Sequence, residues 1–152
     1  MRDRLIARIR AGFSGFCIVT AEEARAEETI RGVAEELSYQ LYSWSVTDGL
    51  MCPAAGSVRD MPDPLDAINA VTEFPESSIL LLRDFQHFLG DRAQSPDPVL
   101  VRAVRDRIRD ARRTGKVIVL TGCAIELDLA RKAKSCSPTD QIPAGREQVG
   151  AR

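Results

Sequence analysis

The carboxylate with the most specific chemical setting in this sequence is Asp84. It follows the run Ile79-Leu80-Leu81-Leu82-Arg83 and precedes Phe85. An acid at the end of a buried strand can hold Mg²⁺ for a bound triphosphate. The second acid that often follows, to orient water, is replaced by Phe85. The simpler reading of Asp84 is a cap for the short segment FQHFL, with Arg83 beside it. His87 lies three residues on, within one helical turn of Asp84, but no nucleophile stands in pattern with the pair, and a surface histidine is the simpler reading. The second place with chemical potential is TAEEARAEET (20–29), between an apolar run and a helical pattern. Phosphate-binding loops occupy such turns, using glycines for close backbone approach and a lysine for charge. This turn has neither, and Glu22, Glu23, Glu27 and Glu28 would repel a triphosphate. The spacing Thr20-x-x-Glu23 matches a capping box, in which the threonine hydroxyl accepts from the Glu23 N–H and the glutamate reaches back to the Thr20 N–H. The pattern GxxxxGK occurs nowhere in the sequence.

A third feature is basic. At about 100° per residue, Arg102, Arg105, Arg109, Arg112 and Arg113 share one arc of a helix, beside an apolar arc of Val101, Val104, Ile108 and Ala111. Such a stripe can meet nucleic-acid phosphates or an acidic protein surface. Asp106 and Asp110 can pair with it locally, and no aromatic residues are interleaved for base stacking. A solvated face is therefore the first reading and nucleic acid a lesser one. Thr47-Asp48-Gly49 follows a strand pattern in which Tyr42 and Trp44 share a face. That position is where α/β sheets place ligands, and an Asp-Gly turn explains it as well. Cys17, Cys52, Cys123 and Cys136 form no CxxC pair, and His87 is the only histidine. Clustered zinc ligands are absent, and Cys17 and Cys123 read as small buried apolar residues.

The elements that must position these residues follow from periodicity. FCIVT (16–20), SILLLRDF (78–85) and KVIVLTG (116–122) are continuous apolar runs of strand length, as expected for strands covered on both faces. Gln40 to Val46 alternates and reads as another strand. Ala26, Ile30, Val33, Ala34 and Leu37 recur at helical spacing. Asp63-Pro64 and Asp97-Pro98 each open a helix as N-cap and N1, Phe74-Pro75 stops the first, and Gly115 ends the second. MRDRLIARIR predicts a short amphipathic helix. The segment 47–64, rich in Gly and Pro, is expected as a loop. AIELDLARKAK is a candidate short helix. Strands alternating with helices predict a three-layer α/β domain with a mostly parallel sheet of four or five strands.

The length of 152 residues suits one domain, and 44% hydrophobic with 28% charged residues is the balance of a folded chain. A net charge of −1 exerts no general pull on nucleic acid or anionic lipid. No apolar run approaches the roughly 20 residues that span a bilayer, so the expected location is the cytoplasm.

Taken in order, IVTAEEARAEETI, LYSWSVTDGL, DPLDAINAV, ILLLRDFQHFL and GKVIVLTG resemble the N-terminal domain of an AAA-family ATPase group of cyanobacteria, algal plastids and other bacteria. The likeness covers roughly residues 5–127. It implies a degenerate, phosphate-loop-NTPase-like domain over 1–127; residues 128–152 read from their composition as a polar tail, a candidate for disorder. It makes ILLLRDF the Walker B strand, with Asp84 as its acid, and places Thr121 at the sensor end of KVIVLTG. Such proteins continue into a second domain with an intact phosphate loop. The chain is accordingly expected to be a truncated member, cut near Leu127. The function it implies is a non-catalytic module for interaction or assembly, with no cofactor, whose partner is an AAA-family ATPase or a second copy. The alternatives are a weak ATP·Mg site around Asp84 and nucleic-acid association through the arginine stripe.

Overall fold

A computed structural model describes residues 1–90 and 94–123, and the backbone of 141–143. Its elements are α1 (Arg2–Arg10), β1 (Gly15–Val19), α2 (Glu23–Leu37), β2 (Gln40–Ser45), β3 (Gly49–Cys52), β4 (Ser57–Arg59), α3 (Pro64–Asn69), a 3₁₀ turn (Ala70–Glu73), β5 (Ser78–Arg83), a second 3₁₀ turn (Phe85–Phe88), α4 (Pro98–Thr114), β6 (Val117–Gly122) and β7 (Gln141–Pro143).

The apolar runs become central strands because both faces are covered. Along β5, Ile79 and Leu81 face one cluster with Phe16, Ile18, Leu41, Val117 and Val119, under Leu5, Ile6 and Ile9 of α1 and Ala26, Ile30 and Val33 of α2. Leu80 and Leu82 face the other cluster with Trp44, Ile118 and Leu120, under Ile68 of α3, Leu100, Val104 and Ala111 of α4, and Phe85. Alternate residues of one strand thus feed two cores, and the result is the expected three-layer αβα sandwich. Trp44 is fully buried, and its indole N–H donates to the Met61 carbonyl at 2.7 Å.

The sheet order is β4-β3-β2-β5-β6-β1-β7. The pairs β2–β5, β5–β6, β6–β1 and β1–β7 are parallel. The pairs β2–β3 and β3–β4 are antiparallel. The seven strands among the described residues exceed the four or five expected, mainly because the predicted loop 47–64 holds a hairpin. Gly49, the first residue of β3, lets β4 come close: its φ is +74°, and a Cβ there would collide with the Arg59 carbonyl of β4. Asp63 and Asp97 cap α3 and α4 as read, accepting from Leu65 N at 2.8 Å and from Val99 N at 2.8 Å. Gly115 ends α4 in the left-handed region. The candidate helix AIELDLARKAK, Cys136 and the boundary at 127 lie outside the described residues.

Candidate functional site

In an open parallel sheet, ligands collect beyond the carboxyl ends of the strands. Here β1, β5 and β6 end together. Arg83 is in register with Thr121 and Val19 with Gly122, and the Thr20 N–H donates to the Gly122 carbonyl at 2.9 Å. The fold therefore brings Thr20, Asp84 and Thr121 to one edge, as the sequence implied.

The crossover from β1 to α2 is not the predicted capping box. α2 starts at Glu23 with Glu22 as N-cap and no side-chain cap bond. The Thr20 hydroxyl accepts instead from the Glu22 N–H at 3.0 Å. Each half of the box fails for its own reason. Thr20 lies too far ahead of the helix, and its N–H is already given to Gly122. Glu22 turns to Arg25 at 3.1 Å.

Asp84 does not cap the turn that follows it. Asp63 and Asp97 cap from extended backbone, whereas Asp84 is left-handed at φ 53° and makes no side-chain cap bond. Its carboxylate is exposed and takes no hydrogen bond or ion pair from the described residues. His87 is exposed and meets Asp84 only through its N–H to the Asp84 carbonyl at 3.3 Å. Thr121 is buried at 3% exposure.

The strongest polar cluster at this edge centres on Arg83, which sequence reasoning passed over. Its guanidinium bonds the Asp48 carboxylate of the β2–β3 turn, approaches Glu27 of α2 at 3.8 Å, and donates to Ser45 Oγ at 3.2 Å. Ser45 Oγ donates in turn to Asp48 at 3.0 Å, and Glu27 also pairs with Arg31 at 3.3 Å. The Asp48 carboxyl is held below its usual range, first by the Arg83 hydrogen bond, then by Ser45 and the Arg83 charge. Beside it, the Gln86 side chain packs so closely on Gly122 that no Cβ would fit there. Arg83, the cation that closes β5 at this edge, is thus held by two carboxylates. The signal that could have found it was an arginine closing a strand that is buried on both faces: such a charge requires acid partners.

The arginine stripe is present as read: Arg102, Arg105, Arg109, Arg112 and Arg113 are all exposed on α4. Asp106 takes two of them, Arg102 at 3.1 Å and Arg109 at 3.7 Å. The cysteines divide. Cys52 is buried, and burial pushes the half-buried Cys17 thiol up to about 12. Cys123 is exposed, which corrects its reading as a buried residue, because it lies just beyond the end of β6. Among the described residues, no helix is long and apolar enough to cross a membrane.

Residues 1–130 match the family model described as SpoVK-like AAA ATPase, N-terminal domain. The chain belongs to this family. No curated protein matches it. In this AAA ATPase N-terminal domain β5 and β6, the strands of ILLLRDF and KVIVLTG, lie side by side in the middle of the sheet. Asp84 and Thr121 stand at their carboxyl ends, and the edge they share is occupied by the Arg83 cluster.

Proposed function

We propose that this AAA N-terminal domain is degenerate and non-hydrolytic, and serves interaction or assembly, with an AAA-family ATPase or a second copy as partner. One observation carries this reading: Glu27 and Asp48 occupy the Arg83 guanidinium at the sheet edge where a triphosphate would need free cations. The crossover from β1 to α2 supports it, since it has no glycine or lysine and begins with Glu22 and Glu23. Titration with Mg·ATP by calorimetry tests it. The expected result is no heat of binding and no phosphate release. Micromolar binding lost in Asp84→Ala would overturn it. That outcome would favour a weak ATP site around Asp84, whose exposed carboxylate, without a partner among the described residues, is the one observation on the side of the second reading.

A further inference from the structure

At the opposite edge of the sheet, where β6 begins, a cleft of about 520 Å³ opens between the first 3₁₀ turn and the end of α4. Its walls include Arg107, Arg113 and Lys116, with Asp110 as the only acid and Val71 and Ala111 as apolar surface. The cleft is preformed. Lys116 is buried, and its ammonium donates to the carbonyls of Val71 at 3.0 Å and Thr72 at 3.3 Å, tying the turn to the root of β6.

The cations here are underused. Arg107 reaches Asp110 only at 3.5 Å, and its Nε–H is buried without an acceptor. Arg113 is exposed and has no partner among the described residues. Lys116 has a third N–H beyond its two carbonyls. The nearby acid of the 3₁₀ turn, Glu73, is committed to Arg59 at 3.0 Å. A helix carboxyl end normally repels anions through its free carbonyls. At the end of α4 two terminal carbonyls are covered, that of Ala111 by the Lys116 N–H at 3.0 Å and that of Gly115 by the Ser77 N–H at 3.0 Å, which lessens this repulsion.

We propose that this cleft receives an acidic peptide segment of a partner protein, one carboxylate seated among Arg107, Arg113 and Lys116. The proposal rests on the interaction reading above and names its docking surface. Three cations against one carboxylate leave a surplus of two positive charges. That surplus suits a carboxylate whose methylene stem lies on Val71 and Ala111. A polyphosphate has no such stem to lay on Val71 and Ala111. Nucleic acid would need an uninterrupted basic face, and Asp106 breaks it by taking Arg102 and Arg109.

The test is fluorescence anisotropy of a labelled hexaglutamate peptide with the full chain. Binding is expected to weaken at least roughly tenfold in Arg113→Glu, the loss of one charge-assisted contact and its reversal. Arg105→Glu, on the stripe but outside the cleft walls, should change it by less than about threefold. Both sites are exposed, so neither variant threatens folding. Equal weakening by the two variants, or no binding at millimolar peptide, overturns the proposal. So does tighter binding of oligothymidine than of hexaglutamate, or self-association lost in Arg113→Glu without peptide binding. The Mg·ATP titration reads the other edge, so either idea can fail alone.

Discussion

Replacing Lys116 with Met isolates the contribution of one buried ammonium. The methionine keeps most of the aliphatic stem, so packing against the root of β6 changes little. What is lost is the donor to Val71 at 3.0 Å and Thr72 at 3.3 Å. A hydrogen bond from a charged donor contributes about 1.5–3 kcal/mol, and the second, longer one contributes less. Both carbonyls then lose a donor inside the fold. Against this, the ammonium of a residue only 9% exposed is costly to keep from water, and its removal returns part of that cost. The balance is a destabilisation of about 2 kcal/mol. Trp44, the only tryptophan and fully buried, reports unfolding by fluorescence. With a urea slope of about 1–3 kcal/mol/M, the midpoint should fall by roughly 1 M. A variant within about 0.5 kcal/mol of wild type, at unchanged slope, would refute the claim that this ammonium fixes the turn and shapes the cleft.

Two further outcomes follow from the same geometry. Asp97→Ala should cost about 1 kcal/mol by urea titration, because its carboxylate accepts from Val99 N and Leu100 N, whereas Thr20→Ala should cost less than about 0.5 kcal/mol, since Thr20 bonds the turn and not the helix; a reversed order would restore the capping box. Arg83→Met should lose stability at neutral pH, and the gap to wild type should narrow in acid. The Asp48 carboxyl is lowered from 3.8 in the folded chain, so its contribution is present above that value and is lost as pH falls through the folded value. A gap that stays constant from neutral pH to pH about 3, in paired urea titrations, would show that the Asp48–Arg83 contact is not made in solution.

What could be read from the residues was what local rules control. β5 and β6 were legible because a run apolar on both faces has few other places to go. α3 and α4 were legible because Asp-Pro fixes a cap and a first helical residue together. The β3–β4 hairpin was hidden for the opposite reason. Ser57, Val58 and Arg59 are all exposed on the edge strand, so no buried face imposes a period, and the hairpin depends on Gly49 meeting Arg59. The capping box failed at a contact 102 residues away along the chain, where Gly122 claims the Thr20 N–H. The Arg83 cluster failed in the same manner, with partners at 27 on α2, 45 on β2 and 48 in the turn after β2. An arginine that closes a buried strand announces a need for acids, but not which ones. Apart from Glu23, assigned to the capping box, the glutamates after β1 were read by sign alone, as repelling a phosphate. In the fold one of them, Glu27, also attracts, since with Asp48 it holds the guanidinium that a phosphate would otherwise claim. The charge of Arg83 is thus balanced within the domain, while at the far edge that of Arg113 is not. An unbalanced charge is where a partner gains most by arriving.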